Sequence, residues 1–246
     1  MTVLETHDEI KNPAWGFWAT FGFGLWVMSM NLMVELFVMI VYIILQALSG
    51  VQISMQYLEG LQSNGLVLAV SSILASILCV LLIVLIIKWK SGSNVREYLA
   101  LRSIGWKTAL TLVVIIGIFI VAFESLAQVT GYKGNDFTVQ VYKTIGWPPL
   151  FWLMAVVFAP LFEEILFRGF LFEGFLRSQA GLGGALLFTS AFWAVLHIQY
   201  GIMEIAGIFV LGIIIGIARY RTGSLWSAFL MHAVFNLVST IVISIQ

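Results

Sequence analysis

Seven long apolar runs, separated by short polar segments, dominate the pattern of the chain. A helix needs roughly 20 apolar residues to cross the roughly 30 Å hydrocarbon layer of a bilayer, and most of the runs approach or exceed this length. The runs are Trp15–Leu48, Gly65–Ile87, Thr108–Ala127, Leu150–Leu176, Gly184–Ile198, Gly201–Ala218 and Ser224–Ile245. The pattern predicts an all-α, polytopic transmembrane helix bundle with about seven membrane helices, within a range of six to eight.

Two of these runs have special features. The first is too long for one upright span, but no Gly or Pro interrupts it between Leu25 and Leu48, which favours one tilted helix over a hairpin. The fourth contains Pro160, which predicts a kink. The longest polar connection, Gly131–Trp147, is interpreted as a lid or an extramembrane loop. No internal repeat is visible, so we expect one membrane domain over residues 1–246, with N-terminal helices in 1–148 and the functional core in 149–246.

Composition and charge agree with a membrane protein. The chain is 61% hydrophobic and only 10% charged, too little polar material to cover a surface in water. Its formal net charge of +0 argues against nucleic-acid binding. The loop after the second run carries the strongest basic cluster, which the positive-inside rule places in the cytoplasm together with the N-terminus: Lys88, Lys90, Arg96, Arg102 and Lys107. The short loops favour a prokaryotic plasma membrane.

Ionisable side chains interrupt the fourth apolar run. Each costs about 2.5–3.5 kcal/mol in a membrane helix and therefore needs a reason. Glu164 and Arg168 are four residues apart and can pair on one helix face. Glu163 lies about 100° around the helix from Glu164 and has no local cation. A desolvated carboxylate beside another one suits a general base.

Two further apolar runs carry histidine. His197 ends the fifth run, and His232 shares a helix face with Asn236 in the seventh. A single Glu, His or Arg in a membrane helix often has only a structural role, as a hydrogen-bond partner or a member of an ion pair. We interpret two other acids, Glu35 and Glu124, as helix-packing or interfacial groups. Taken together, two acids, two histidines and an asparagine on three helices form the acid, base and oxyanion inventory of a hydrolase.

The same residues resemble three motifs of the CPBP family, which comprises CAAX prenyl endopeptidases and bacteriocin-processing or self-immunity (Abi) proteins. The resemblance covers Phe151–Ser239 and includes the turn from Arg219 to Trp226. Its one departure is Trp193, where the family usually has Phe. The motifs are Glu163-Glu164-xxx-Arg168, Trp193-xxx-His197 and His232-xxx-Asn236.

This resemblance implies a membrane endopeptidase of metalloprotease or glutamate type. The implied roles are a base that activates water (Glu163), a residue that orients this water or binds metal (His197), two oxyanion donors (His232 and Asn236), and an ion pair in which Arg168 holds Glu164. The implied substrate is a membrane-associated or hydrophobic peptide or protein, for example a prenylated protein or a bacteriocin or pheromone precursor.

Several alternatives stay open on the sequence alone. We favour a metal-free site because Asn236 is a poor zinc ligand and a good oxyanion donor, but zinc bound by Glu163, His197 and His232 is the other arrangement. A non-enzymatic self-immunity or partner-binding protein is the alternative function, and a small transporter with a proton relay is a third. To bring His197 level with Glu163, we expect the fifth helix to start after Gly181–Gly184 or to tilt, with a cavity that opens sideways or towards the cytoplasm.

Overall fold

The computed structural model describes residues 14–134 and 136–245, and all regular structure within these ranges is helical. The predicted all-α class is confirmed. Residues 1–13, which hold the N-terminal segment expected in the cytoplasm, lie outside the described part of the chain.

Ten helices follow one another along the described residues. Six of them are long and apolar enough to cross a membrane, and α8 is a shorter apolar helix, so the chain is a multi-pass membrane protein within the predicted range of spans. The helices are α1 (Phe17–Leu48), α2 (Met55–Leu61), α3 (Gly65–Trp89), α4 (Val95–Tyr98), α5 (Trp106–Thr130), α6 (Phe137–Thr144), α7 (Pro148–Leu176), α8 (Gly181–Val195), α9 (Ile202–Thr222) and α10 (Leu225–Ser244).

The first apolar run forms one continuous helix, as predicted. With 32 residues, α1 is about 48 Å long and exceeds the roughly 30 Å hydrocarbon layer. Its inner face packs on α3, where the Cys79 Sγ lies 3.7 Å from the Val27 carbonyl oxygen. It also approaches the end of α7 closely, because a Cβ atom at Gly174 would collide with the Thr20 side chain.

The connection before α7 differs from the expected polar loop. It contains α6, whose Val141 packs with the following Ile145 against Ala69 of α3 and Phe151 of α7. The apolar residues at i and i+4 give α6 one buried face, which the polar composition of the segment obscures. This helix is therefore fixed to the bundle at one end of α3 and α7.

The central helix, α7, departs from the α-helical hydrogen-bond register in two segments. Two π-helical segments, Leu153–Phe158 and Ile165–Leu171, flank the α-helical turn Ala159–Glu164. The predicted disturbance at Pro160 thus takes the form of a π-helical segment ending just before the proline, and such segments occur often at functional sites. All seven residues of the second π segment are buried, so α7 runs through the core.

The helix α8 packs tightly on α9 through the small residues Gly212 and Gly216. A Cβ atom at Gly212 would lie 2.9 Å from the Ser190 Oγ, and one at Gly216 would lie 2.7 Å from Leu186. Because α8 begins at Gly181, the expected late start is wrong. The helix instead ends at Val195, so His197 follows it in a turn rather than within its last helical turn.

Candidate active site

The turn Ala159–Glu164 in the middle of α7 presents the two adjacent carboxylates to different surroundings. The Glu164 side chain is fully buried, whereas that of Glu163 keeps 22% of its surface accessible. Neighbouring helical residues point about 100° apart, which explains why one acid enters the core while the other faces a cavity.

Glu164 is the centre of a buried polar cluster. Its Oε1 accepts hydrogen bonds from Arg168 Nη1 at 3.2 Å and from His232 Nδ1 at 2.8 Å. Arg168 also donates from Nη2 to the Gly212 carbonyl at 3.3 Å and stacks its guanidinium over the Trp193 ring at 4.4 Å. The predicted Glu164–Arg168 pair therefore forms, and it additionally anchors a histidine from α10.

Glu163 lies beside the same histidine. Its Oε2 accepts a 2.5 Å hydrogen bond from Trp193 Nε1 and lies 4.0 Å from His232 Nε2. The Trp193 and His232 rings meet edge to face with their centroids 5.0 Å apart. Sequence analysis noted Trp193 only because the family usually has Phe at this position, and it missed the hydrogen bond. The signal was present, because the indole N–H of Trp is a donor that Phe lacks.

His197 reaches the site from the turn after α8. Its Nδ1 lies 2.8 Å from the Trp193 carbonyl oxygen, which can only accept, so Nδ1 carries the proton and Nε2 is the acceptor in the neutral ring. The ring stacks on Tyr200 at a centroid distance of 5.9 Å. Trp193 thus touches both histidines, and its ring centroid lies 5.5 Å from that of His197.

Asn236 forms a hydrogen bond with the backbone of α7. It lies one helical turn after His232, but its Nδ2 donates a 2.8 Å hydrogen bond to the Ala155 carbonyl in the first π segment of α7. The two residues share a face of α10, as the spacing predicted, yet one contacts the carboxylates and the other contacts backbone. The oxyanion role of Asn236 stays a prediction.

A cavity of about 600 Å³ opens beside Glu163, between α1 and α3 on one side and α7 and α8 on the other. Its wall combines aromatic and aliphatic side chains with a few polar groups, the composition usual for ligand sites. Its charged lining residues are two carboxylates, Glu35 and Glu163, and it includes no Lys or Arg among the described residues. The other polar lining residues are Ser29, Asn31, Ser72, Ser76, Trp193, His197 and Gln199.

The candidate zinc ligands do not form a coordination shell in this arrangement. Within residues 14–134 and 136–245, no three His, Cys, Asp or Glu side chains are grouped so that they could hold a metal ion. His232 directs Nδ1 at Glu164, and its Nε2 lies 4.0 Å from Glu163 Oε2. Zinc bound by Glu163, His197 and His232 and the metal-free arrangement both stay predictions.

Comparison with known proteins points to the region that holds this cluster. Residues 145–238 match the family model of Rce1-like, type II CAAX prenyl endopeptidases. The resemblance predicted from the three motifs is confirmed. The Rce1-like region contains all six candidate residues from Glu163 to Asn236 and supports a CAAX-type intramembrane endopeptidase with a membrane-embedded peptide substrate.

A relative from Escherichia coli shares more of the chain. This protein, called "Uncharacterized 24.3 kDa protein", is 29% identical over 182 residues, which cover 71% of this chain and 79% of its own length. No solved structure matches. The functional argument therefore rests on the Rce1-like region and on the geometry around Glu163.

Proposed function

We propose that the protein is an intramembrane endopeptidase in which the Glu163 carboxylate activates water against a peptide carbonyl. One observation carries this proposal: Glu163 lies on the wall of a cavity with His197, and its Oε2 is 4.0 Å from His232 Nε2. Two polar atoms at this separation suit a water molecule that bonds to both. As the water oxygen attacks the carbonyl carbon, Glu163 accepts its proton and later gives that proton to the leaving amine.

The buried Glu164–Arg168 pair supports a role for His232 next to the reacting carbonyl. Glu164 accepts from Nδ1 at 2.8 Å, which fixes the ring so that Nε2 faces Glu163. In its imidazolium form the ring donates from both nitrogens, to Glu164 and to the oxyanion of the tetrahedral intermediate.

His197 and Trp193 complete the proposed handling of water. Because His197 Nδ1 donates to backbone, its Nε2 is left as an acceptor that can orient the water's second hydrogen. The Trp193 indole holds the Glu163 carboxylate in one rotamer through its 2.5 Å hydrogen bond. Positioning of the base and its water is the part of catalysis that such fixed contacts provide.

The cavity favours a hydrophobic substrate segment. Its wall is largely apolar, and its two carboxylates, with no Lys or Arg among the described lining residues, disfavour an anionic group near the scissile bond. We therefore propose a membrane-associated or hydrophobic peptide that is neutral or cationic where it is cut. A prenylated protein and a bacteriocin or pheromone precursor both remain within this class.

Cleavage of a peptide library by purified protein in liposomes tests the proposal. Each peptide is supplied with and without a lipid anchor, and mass spectrometry locates any cut. Wild type and Glu124→Gln should cleave the same peptides, since Glu124 is exposed on α5 and does not line the cavity. Glu163→Gln, which removes the base with little change in shape, should cleave none.

Two outcomes contradict the proposal. Equal cleavage by wild type and Glu163→Gln would remove Glu163 from the mechanism. Tight binding of a peptide that no variant cleaves would instead favour the non-enzymatic, partner-binding alternative.

A further inference from the structure

The first π segment of α7 ends where the sequence removes a hydrogen-bond donor. The Ala159 N–H bonds to the Met154 carbonyl, five residues back, which is the π-helical register. In this register the next residue, Pro160, would bond to Ala155, but proline has no N–H. The Ala155 carbonyl is therefore left without the backbone donor that the register assigns to it.

The side chain of Asn236 takes the place of that missing donor. Its Nδ2 lies 2.8 Å from the Ala155 oxygen, although the two residues are 81 positions apart in the chain. An unpaired carbonyl at this depth of a membrane helix is costly, so a donor from a neighbouring helix stabilises the π register against the α register. A Pro-containing membrane helix commonly has its freed carbonyls satisfied in this way.

We infer that Asn236 is a positioning residue: through Ala155 and the π segment it sets the rotation of the turn that carries Glu163. A change from the π to the α register upstream of this turn would rotate Glu163 by up to about 100°, the angle of one helical residue. Such a rotation would take the carboxylate away from Trp193 Nε1 and His232 Nε2. The amide thus acts on the backbone of α7 through at least one of its two N–H bonds.

The kinetic part of this inference rests on the proposed peptidase activity, whereas the contact itself does not. The discriminating change is Pro160→Ala, which returns an N–H to the position that Asn236 serves. If Asn236 positions Glu163, the backbone donor should substitute for the amide. If Asn236 donates to the oxyanion, a new N–H inside α7 has no means of replacing it.

The test compares wild type, Asn236→Ala, Pro160→Ala and the double variant. We expect Asn236→Ala to lower kcat on the order of 100-fold, as a misplaced catalytic group does, with KM changed less than about threefold. The double variant should regain activity to within about tenfold of Pro160→Ala alone. A double variant as inactive as Asn236→Ala would overturn the inference, and so would an Asn236→Ala protein with unchanged kcat.

Melting temperatures of the same proteins test the contact between Asn236 and Ala155 independently of activity. Asn236→Ala should melt below wild type because α7 and α10 lose a hydrogen bond, whereas Ser239→Ala, which removes a bond within α10 only, should melt close to wild type. An unchanged melting temperature for Asn236→Ala would contradict the inference even if Pro160→Ala did not fold. If wild type cleaves no peptide, the proposed function fails, while these temperatures still test the contact.

Discussion

Replacement of Arg168 by alanine should destabilise the folded protein strongly. The Arg168 side chain is 0% exposed, and it bonds Glu164 at 3.2 Å and the Gly212 carbonyl at 3.3 Å. Its removal leaves the buried Glu164 charge with His232 as its remaining hydrogen-bond donor. Breaking one side of a buried ion pair costs about 3–5 kcal/mol, because the other charge stays buried without compensation.

The expected fall in melting temperature is about 6–20 °C, from about 2–4 °C per kcal/mol for a chain of this size. Thermal unfolding of purified protein in detergent measures it. Arg177→Ala is the matched control, since Arg177 forms the same i, i+4 pair with Glu173 at 2.6 Å, but its side chain is 26% exposed. Glu173 also keeps Arg219 at 3.5 Å. The control should lose about 1 kcal/mol or less.

A second variant separates charge from packing. Arg168→Met combined with Glu164→Gln leaves no unpaired charge, so it should recover much of the lost stability. It should not recover cleavage, because the carboxylate that holds His232 Nδ1 is gone. An Arg168→Ala protein that melts within about 4 °C of wild type, like the control, would refute the argument that this pair is essential to the buried cluster.

Three further outcomes are expected. Gly212→Ala should lower the melting temperature because its Cβ would lie 2.9 Å from the Ser190 Oγ, whereas Gly117→Ala, which meets no atom within 4 Å, should not. In a Cys79→Ser background, a cysteine at Gly183 should be labelled from the cytoplasmic side, and labelling only from outside would reverse the predicted topology. Cleavage should survive removal of metal by chelators, since no ligand trio is formed in the described chain; stoichiometric zinc that restores lost activity would contradict this.

The sequence predicted the features that depend on local spacing. The apolar runs have lengths dictated by the bilayer, so the spans were visible, and the i, i+4 separation of Glu164 and Arg168 was enough to predict their pair. Pro160 likewise predicted an irregular helix, but it did not predict that the irregularity would be π-helical. The α6 segment was missed because polar residues dominate its composition and obscure the apolar face formed by Phe137, Val141 and the following Ile145.

The contacts between helices could not be read from spacing. His232 and Asn236 share a helix face, but which one meets Glu164 and which meets Ala155 depends on how α10 rotates and slides against α7. The same holds for the Trp193 indole, which faces Glu163 from α8. Packing of the helices determines these contacts, and the residues in contact are 30 to 81 positions apart along the chain. A single sequence has no local pattern that predicts contacts over such separations.

The central claim is that the Glu163 carboxylate activates the water that cleaves the peptide. Binding of the peptide in the cavity does not require this carboxylate. The most direct measurement uses one peptide that wild type cleaves and follows binding and cleavage in the same preparation of Glu163→Gln under single-turnover conditions. The account predicts that the variant binds the peptide about as tightly as wild type and leaves it uncut. Cleavage of the bound peptide by Glu163→Gln at a rate near that of wild type would contradict the account.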